Sequence, residues 1–441
     1  MSTETVFALS SGVVPSGVAI VRISGPGVRF AFETMIGSVP ENRKAILRYI
    51  SDRSGRLIDR GLSLYFQSPG SFTGEDCGEF HVHGGRAVLD AVLSELGSFE
   101  GFRIAERGEF SRRAFENGKL DLSEIEGLSD VIVANTREQL TQALMLSSGT
   151  LGALYSDWRS RLTRLRALLE AELDFSEEED VSENLDQDFI DDLSVLSGEI
   201  SKHLDTSRSG EIIRDGFKVT LMGAPNSGKS SLLNALAKRD VAIVSEIAGT
   251  TRDVVSVNLN IGGYEVIVSD TAGIRETDEV VESIGIKRAL EAGKSAGLTI
   301  WLDPVDEVAD LTTLPDFMGN ERFIRVNSKF DLAPAAHPLD DNICFSAVTG
   351  FGLDTLVDAM LQQLKSSVGN SGDVFLTRHR HRFLLTKSLE YLDNVVDTSD
   401  MPVEIVTEQL RLASDQIGKI AGKIDVEDML DVIFSEFCIG K

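Results

Sequence analysis

Apolar and polar positions alternate in different ways along the 441-residue chain. Up to about residue 118, short runs such as GVAIVRIS, GLSLYFQ and GEFHVHGG have the texture of strands, with helical stretches and many glycines between them. From 119 to about 210 the apolar residues follow helical spacing, as at Leu151, Leu154, Tyr155, Trp158, Leu162, Leu165 and Leu169. The pattern predicts a mixed α/β domain followed by helices.

A second α/β region begins at Phe217 and continues to about residue 367. Strands alternate with helices there, which is typical of a parallel sheet with crossover helices. Helical spacing resumes at Thr377, as in VEIVTEQLRLASDQIGKIAGKI. The simplest architecture inserts this α/β unit into a helical domain made of two separated segments, with SRSGEIIRDG and KSSVGNSGD as the crossing points. We therefore expect an α/β multidomain protein with the segments 1–118, 119–212, 213–367 and 368–441.

The formal net charge of -27 constrains nucleic-acid binding. Such a chain repels a phosphate backbone at long range, so a nucleic-acid partner needs a local basic patch. Two runs, RSRLTRLR and TRHRHR, are candidates, although each taken alone is read more simply as the solvated face of a helix. Their charged positions are Arg159, Arg161, Arg164 and Arg166, and Arg378, His379, Arg380, His381 and Arg382.

Cysteine usage points to a reducing compartment. The three cysteines, Cys77, Cys344 and Cys438, are far apart and odd in number, which argues against a disulfide framework. No run approaches the roughly 18 apolar residues that a spanning helix needs, and the N-terminus lacks a signal pattern. We expect a cytoplasmic protein without a membrane segment.

The stretch VTLMGAPNSGKSSLLNAL carries the strongest chemical signal. Residues 223–230 fit G-x-x-x-x-G-K-[ST] between a predicted strand and a predicted helix, the context of a P-loop. Its glycines let backbone N–H groups wrap phosphates, helped by the positive helix N-terminus. Lys229 would reach the β- and γ-phosphates, and Ser230 would hold Mg²⁺.

Two further motifs concern the metal and the γ-phosphate. Thr251 in GTTRD is the candidate switch threonine on Mg²⁺. In VIVSDTAG, Asp270 ends a strand near the metal and Gly273 lies near the γ-phosphate. Ile274 follows Gly273, so no glutamine stands there to orient the attacking water, and another group must do so.

The last two motifs predict the base site. RFIRVNSKFD places Lys329 and Asp331 against a purine, and ICFSAVTG supplies a base-side loop with Ser346 and Ala347. Asp331 selects guanine, because its carboxylate accepts hydrogen bonds from both the ring N1–H and the exocyclic amine. GTP is therefore the expected substrate.

Serine at position 328 departs from the N-K-x-D pattern that GTPases usually carry. A serine cannot duplicate every hydrogen bond of an asparagine amide, so weaker guanine affinity is expected while the discrimination by Asp331 survives. The alternative is that Asn327 shifts register to compensate.

With these motifs, the chain resembles the MnmE (TrmE) family of tRNA modification GTPases. The blocks are GAPNSGKSSLLNAL, EIAGTTRDVV, SDTAGIRETDEVVESIGIKRA and the terminal CIGK, together with VAIVRISGP, SFTGEDCGEFHVHGG and RGEFSRRAFENGKLDL near the N-terminus. The resemblance covers essentially the whole chain. It implies an N-terminal domain that binds a formyl-tetrahydrofolate and forms a homodimer, a discontinuous helical domain, and an inserted Ras-like GTPase domain.

The resemblance also implies an activity and partners. With the flavoprotein MnmG, in a heterotetramer or larger complex, the family installs an aminomethyl or carboxymethylaminomethyl group at carbon 5 of the wobble uridine of certain tRNAs. The one-carbon unit comes from 5-formyltetrahydrofolate or a related tetrahydrofolate. Mg²⁺ and K⁺ are the expected ions.

Residue by residue, the resemblance places K⁺ at Asn226, Ser245, Ile247 and Thr250, and Mg²⁺ at Ser230 and Thr251. Glu282 matches the catalytic glutamate that helps place the water. The complete expected nucleotide site comprises Asn226, Ser227, Gly228, Lys229, Ser230, Ser231, Ser245, Glu246, Ile247, Ala248, Gly249, Thr250, Thr251, Asp270, Thr271, Ala272, Gly273, Ser328, Lys329, Phe330, Asp331, Ser346, Ala347 and Val348.

The family's folate contacts match Arg22, Glu79, Lys119 and Lys441. Cations suit the glutamate tail of a folate, and a carboxylate can bind the amino-pyrimidinone edge of a pterin. His81 and His83 share one face of a predicted strand, which could suggest a metal site. Without a third ligand at suitable spacing, a structural role is favoured.

An apolar run leads into the terminal FCIGK, so this tail is expected to dock and not to fray. The resemblance places Cys438 close to the folate. Two roles remain open for its thiol, a nucleophile that adds to the uridine ring or a small packing group beside the pterin.

Two other functions compete with tRNA modification. Ribosome-assembly GTPases share the G-x-P-N-x-G-K-S loop but usually carry a basic RNA-binding module, which is not obvious at a net charge of -27. The second alternative is a folate one-carbon transferase in which the GTPase is regulatory.

Overall fold

The structure is a computed structural model. It describes residues 4–175, 187–239, 256–270, 297–306, 322–332, 342–369, 375–397, 401–424, 430, 433–434, 437 and 440. The chain forms two compact units. The first comprises Met1–Ser129, Leu146–Ser160 and Ile417–Lys441, and the second comprises Asp130–Met145 and Arg161–Gln416.

A six-stranded sheet, the first sheet, dominates the first unit. Its strands are β1 (Thr5–Leu9), β2 (Ser16–Ser24), β3 (Ile46–Ser51), β4 (Leu57–Phe66), β5 (Cys77–Gly84) and β6 (Phe102–Ile104), in the order β3-β4-β5-β2-β1-β6. Neighbouring strands run antiparallel except β1 and β6, which are parallel.

Helices α1 (Val28–Ile36) and α2 (Arg86–Gly97) pack on one face of the first sheet. Side chains alternate across a strand, so Val21 and Phe80 enter the core between sheet and helices. The intervening Arg22 and Glu79 face the other way. This alternation places charged groups together on the face opposite the core.

Four more helices begin in or cross the first unit, namely α3 (Glu109–Glu116), α4 (Leu122–Val133), α5 (Arg137–Ser147) and α6 (Thr150–Phe175). The C-terminal residues that the structure describes join the start of α4 in an apolar cluster of Leu122, Ile125, Leu430, Phe434 and Phe437. Phe434 is 3% exposed and Phe437 5% exposed. The tail is docked, as its apolar run predicts.

The second unit contains a second six-stranded sheet. Its strands are β7 (Phe217–Gly223), β8 (Ser256–Ile261), β9 (Tyr264–Asp270), β10 (Leu298–Pro304), β11 (Phe323–Ser328) and β12 (Ile343–Cys344), in the order β12-β11-β10-β7-β9-β8. All neighbours are parallel except the β8–β9 hairpin, which confirms the expected mainly parallel sheet. Helices α9 (Lys229–Ala237) and α10 (Leu353–Val368) contribute leucines to its core.

The remaining helices flank the second sheet in sequence. They are α7 (Gln187–Asp205) and α8 (Ser207–Asp215) before it, and α11 (His379–Asp397) and α12 (Val403–Ile420) after it. Helices α7 and α11 pack together, and the Ser197 hydroxyl donates a hydrogen bond of 2.9 Å to Asp393. The helical part is therefore discontinuous, as expected. None of the described helices combines the length and apolar character needed to cross a membrane.

Candidate functional site

The P-loop joins the end of β7 to the start of α9. Its backbone adopts positive φ angles at Gly223 (144°), Asn226 (62°) and Gly228 (97°). A Cβ on Gly223 would clash with the carbonyl oxygen of Leu302 on the neighbouring strand β10, so only glycine fits there. The loop ends at the N-terminus of α9, where free backbone N–H groups and the helix dipole favour an anion. This geometry suits phosphate binding.

Lys229 is folded against the loop that it follows. Its Nζ donates hydrogen bonds to the carbonyl oxygens of Gly223 at 2.9 Å and Ala224 at 2.8 Å, and the residue is 7% exposed. Burial lowers the pKa of the Lys229 ammonium, and the charge of Asp270 acts in the opposite direction. A largely desolvated cation therefore lies in the phosphate loop.

Ser230 and Asp270 come together at the carboxyl edge of the second sheet. Strands β7 and β9 are parallel neighbours with Leu221 opposite Asp270, so both strands end at this edge. The Ser230 hydroxyl donates a hydrogen bond of 3.0 Å to Asp270 Oδ2. Two hard oxygen atoms side by side fit Mg²⁺, which takes oxygen ligands.

The expected base-site residues that follow β11 and β12 also meet. Asp331 accepts a hydrogen bond of 2.6 Å from the Ser346 hydroxyl, which itself accepts from the Val348 N–H. The ring of Phe330 stacks on Phe351, with centroids 5.5 Å apart. These contacts bring together the two loops that the base motifs predict. Lys329 directly precedes Phe330, and Ala347 lies between Ser346 and Val348.

Ser328 occupies the position of the usual asparagine. Its hydroxyl donates a hydrogen bond of 2.6 Å to the carbonyl oxygen of Ser227 in the P-loop. Asn327 pairs with Asp303 on one side and Cys344 on the other within the sheet. This pairing on both sides places Asn327 within the strand, one residue before Ser328.

Many expected site residues lie outside the described part of the chain. These are Ser245, Glu246, Ile247, Ala248, Gly249, Thr250, Thr251, Thr271, Ala272, Gly273, Glu282, Cys438 and Lys441. Of the expected K⁺ ligands, only Asn226 is described, and its side chain is exposed at the P-loop.

In the first unit, Arg22, Glu79 and His81 form one cluster on the outer face of the first sheet. Arg22 donates to Glu79 Oε1 at 3.1 Å, and His81 Nε2 lies 2.9 Å from Glu79 Oε2. The hydrogen bond from His81 lowers the pKa of Glu79 most strongly, burial opposes it, and Arg22 also lowers it. The carboxylate is held ionised and oriented from both sides.

One loop connects this cluster with Lys119. The Arg22 guanidinium lies 5.4 Å from the ring centroid of Phe72, which belongs to the loop between β4 and β5. Lys119 Nζ donates to the carbonyl oxygen of Pro69 in the same loop at 3.0 Å. Asn117 donates to the Thr73 carbonyl at 2.8 Å. The three described folate candidates are thus assembled around the loop.

The C-terminal tail reaches the strand beside Arg22. The Ser10 hydroxyl donates a hydrogen bond of 2.5 Å to the carbonyl oxygen of Gly440. In the first sheet Ala8 on β1 lies opposite Arg22 on β2, only two residues before Ser10. Gly440 has a φ of 97°, and a Cβ there would clash with the Leu9 carbonyl oxygen. Tail docking requires glycine at this position.

Two contacts that sequence reasoning missed link α5 to the β8–β9 hairpin. Gln139 Nε2 donates to Glu265 Oε2 at 2.7 Å, and the Glu138 N–H donates to the Gly263 carbonyl at 3.2 Å. Asn258 donates to the other Glu265 oxygen at 3.0 Å. Partners so far apart in sequence leave no local signal, whereas the i, i+2 spacing of Glu79 and His81 in a strand could have revealed their contact.

The basic runs are engaged by carboxylates. Arg161 pairs with Glu199 at 2.7 Å, and Arg378 pairs with Asp130 at 2.7 Å. These ion pairs favour the reading as charged helix faces over a free basic patch. His83 bonds to Asp59, and the described residues contain no group of three potential ligands that could hold a metal ion.

The sequence is similar to known proteins over nearly its whole length. Residues 5–119 match the family model of the GTP-binding protein TrmE N-terminus, and residues 122–438 match that of the MnmE helical domain. The tRNA modification GTPase MnmE of Brucella anthropi is 48% identical over 443 residues, which cover 99% of this chain and 98% of that protein. The chain belongs to the MnmE family.

Another member of the MnmE family, from Brucella melitensis biotype 1, is 48% identical over 438 residues, again covering 99% of this chain and 98% of that protein. A solved structure of a variant of Aquifex aeolicus Era bound to GDP.AlF4- is 26% identical, with a TM-score of 0.27 over 40% of this chain and 66% of that chain. A likeness this slight carries no conclusion. The match to the MnmE relatives, by contrast, covers 99% of this chain.

Proposed function

We propose that this chain is a potassium-activated GTPase that acts with the flavoprotein MnmG on the wobble uridine of certain tRNAs. The product carries an aminomethyl or carboxymethylaminomethyl group at carbon 5, built with a one-carbon unit from a tetrahydrofolate. Membership of the MnmE family makes the chain a GTP hydrolase of tRNA modification. The potassium, MnmG and folate parts are proposals, as are the homodimer, the cytoplasmic location and the domain boundaries at 118, 212 and 367.

The contact between Ser230 and Asp270 is the observation that carries the nucleotide half of this proposal. A hydroxyl and a carboxylate converge beside a phosphate loop whose lysine is largely buried. Ser230, with Thr251, would hold Mg²⁺, and Asp270 would orient this site from beside it. When bound, Mg²⁺ would supply positive charge that offsets the charge of the phosphates. Lys229 would exchange its bonds to loop carbonyls for bonds to phosphate oxygens.

Hydrolysis without an Asp-Thr-Ala-Gly-Gln motif needs other groups. Asn226, Ser245, Ile247 and Thr250 would hold K⁺, which supplies positive charge beside the phosphates. Glu282 would orient the attacking water. The exposed amide of Asn226 in the P-loop is compatible with a cation ligand.

The folate half rests on the cluster around Glu79. Arg22 and Lys119 would bind the anionic tail of the folate, Glu79 would accept hydrogen bonds from the pterin edge, and Lys441 would contact the ligand from the tail. An ionised Glu79, bonded on both oxygens, fits that role. A folate bound there would supply the one-carbon unit. Cys438, two residues before the docked Gly440, would act near it as a nucleophile or as a packing group.

Reconstitution tests the proposal. Unmodified tRNA is incubated with the full chain, MnmG, the folate, GTP and glycine as the nitrogen donor, in KCl or in NaCl at matched ionic strength. Its nucleosides are analysed by mass spectrometry, and the phosphate released from GTP is measured. We expect the modified wobble uridine only with GTP, folate and KCl together. Equal GTP hydrolysis in NaCl would overturn the potassium proposal, and modification without folate would overturn the folate proposal.

A further inference from the structure

Position 328 carries a serine whose surroundings limit what it can bind. Its side chain is 1% exposed, and its hydroxyl lies 2.6 Å from the carbonyl oxygen of Ser227, which is also buried. The contact joins the end of β11 to the P-loop across a sequence separation of 101 residues. Ser328 therefore ties the base-side loop to the phosphate loop.

The hydroxyl has only one hydrogen to donate. Because a carbonyl oxygen can only accept, that hydrogen is committed to Ser227. Redirecting it would leave the buried Ser227 carbonyl without this donor, and an unsatisfied buried polar group is costly. Ser328 therefore uses its one donor hydrogen for the hydrogen bond between the two loops.

Guanine presents acceptors alone, N7 and O6, on the edge opposite Asp331's hydrogen-bonding partners. We propose that Ser328 keeps the two loops together but leaves N7 of the bound guanine without a donor from this position. This inference rests on the proposed guanine site at Asp331. It means that the chain binds guanine nucleotides more weakly, and releases them faster, than it would with asparagine at position 328.

An asparagine would differ because its amide carries two N–H hydrogens. One could keep the bond to Ser227 while the other bonds to N7. The serine thus attaches the two loops to each other but makes no hydrogen bond to N7, whereas an asparagine could do both.

The test compares GDP with 7-deaza-GDP, in which a C–H replaces N7 while the edge that Asp331 reads is unchanged. The full chain with Mg²⁺ and KCl should bind the two within about twofold, because no hydrogen bond is lost. Ser328→Asn should bind GDP roughly two- to tenfold tighter, about what one net hydrogen bond contributes, without a gain for 7-deaza-GDP. Ser328→Ala should weaken both equally, since only the loop attachment is removed.

Wild-type binding decides the matter even if a variant misfolds. A wild-type preference for GDP over 7-deaza-GDP of about fivefold or more, as one net hydrogen bond gives, would overturn the inference. A folded Ser328→Asn variant without a gain for GDP would overturn it as well. The proposed guanine site is tested separately by comparing GDP with xanthosine diphosphate on wild type, because these bases differ at the Asp331 edge and share N7.

Discussion

The Ser346 hydroxyl donates a hydrogen bond of 2.6 Å to the Asp331 carboxylate, although the two residues belong to separate loops. The contact leaves Asp331 Oδ2 outside that bond and fixes the orientation of the carboxylate. A carboxylate that selects guanine needs a fixed orientation, because guanine is distinguished by paired hydrogen bonds along one edge of the base.

Replacing Asp331 by asparagine should exchange the preferred base. In Asp331→Asn the amide presents a donor to the additional carbonyl of xanthine and opposes the exocyclic amine of guanine, so xanthosine triphosphate should replace GTP as the better substrate. Competition binding of the two nucleotides measures the exchange. A folded variant that keeps its GTP preference would place the base pocket elsewhere.

Removing the Ser230 hydroxyl should raise the Mg²⁺ requirement. We expect Ser230→Ala to need about tenfold more Mg²⁺ for half-maximal GTP hydrolysis, the equivalent of about 1.4 kcal/mol. Nucleotide binding in EDTA should change little, because phosphate contacts remain. Asn234→Ala, on the exposed surface of the same helix, is the control and should behave as wild type. An unaltered Mg²⁺ titration for Ser230→Ala would remove this ligand from the proposal.

A side chain at position 440 should release the tail. Gly440→Ala adds a Cβ against the Leu9 carbonyl and strains a left-handed backbone, which costs about 1–2 kcal/mol by itself. We expect faster carboxypeptidase digestion and weaker folate binding, with GTP hydrolysis retained. Gly37→Ala also strains a positive φ but meets open space, so it controls for general destabilisation. A digestion rate equal to that of the Gly37→Ala control would contradict the need for glycine at 440.

His81 should extend folate binding to lower pH. The lowered pKa of Glu79 keeps its carboxylate charged as the pH falls, and His81 is the main cause. In His81→Leu this hydrogen bond is lost while burial remains, so the pKa of Glu79 rises and folate binding fails at a higher pH than in wild type. His81→Gln retains an N–H donor and should resemble wild type. Isothermal titrations of folate across acidic and neutral pH give the pH at which half of the binding is lost. The same pH for His81→Leu and wild type would show that His81 does not support folate binding in this way.

His203 should weaken the fold in mild acid. Burial and repulsion from His381 lower the pKa of His203 from 6.5 to about 4. Below pH 6.5 the unfolded chain takes up a proton that the folded chain does not, so stability is lost as the pH falls towards 4. The loss reaches up to about 3 kcal/mol.

His203→Gln should flatten this part of the pH dependence of denaturant unfolding, with the exposed His379→Gln as the control. An unchanged slope between pH 6.5 and 4 would show that His203 is charged in the folded state.

Local chemistry explains which features could be predicted from sequence. The P-loop fits within eight consecutive residues, and strand alternation determines which side of β5 bears Glu79. The bond between Ser10 and Gly440 joins residues 430 positions apart, and that between Gln139 and Glu265 spans 126. Such contacts depend on how whole elements pack, so neither partner's sequence neighbourhood predicts them. The register at Asn327 also depends on such packing, because it is paired with a neighbouring strand on both sides.

Helix α5 is hydrogen-bonded to the β8–β9 hairpin through Glu265. The hairpin runs from Ser256, soon after the Thr251 motif, to Asp270 at the proposed metal site. Gln139 and Asn258 occupy both oxygens of Glu265, which is 7% exposed, so sliding the hairpin alone would strip a buried charge of its partners. The hairpin lies between the two motifs proposed to contact the nucleotide. A displacement of this hairpin would therefore be transmitted to α5, and a displacement of α5 to the hairpin.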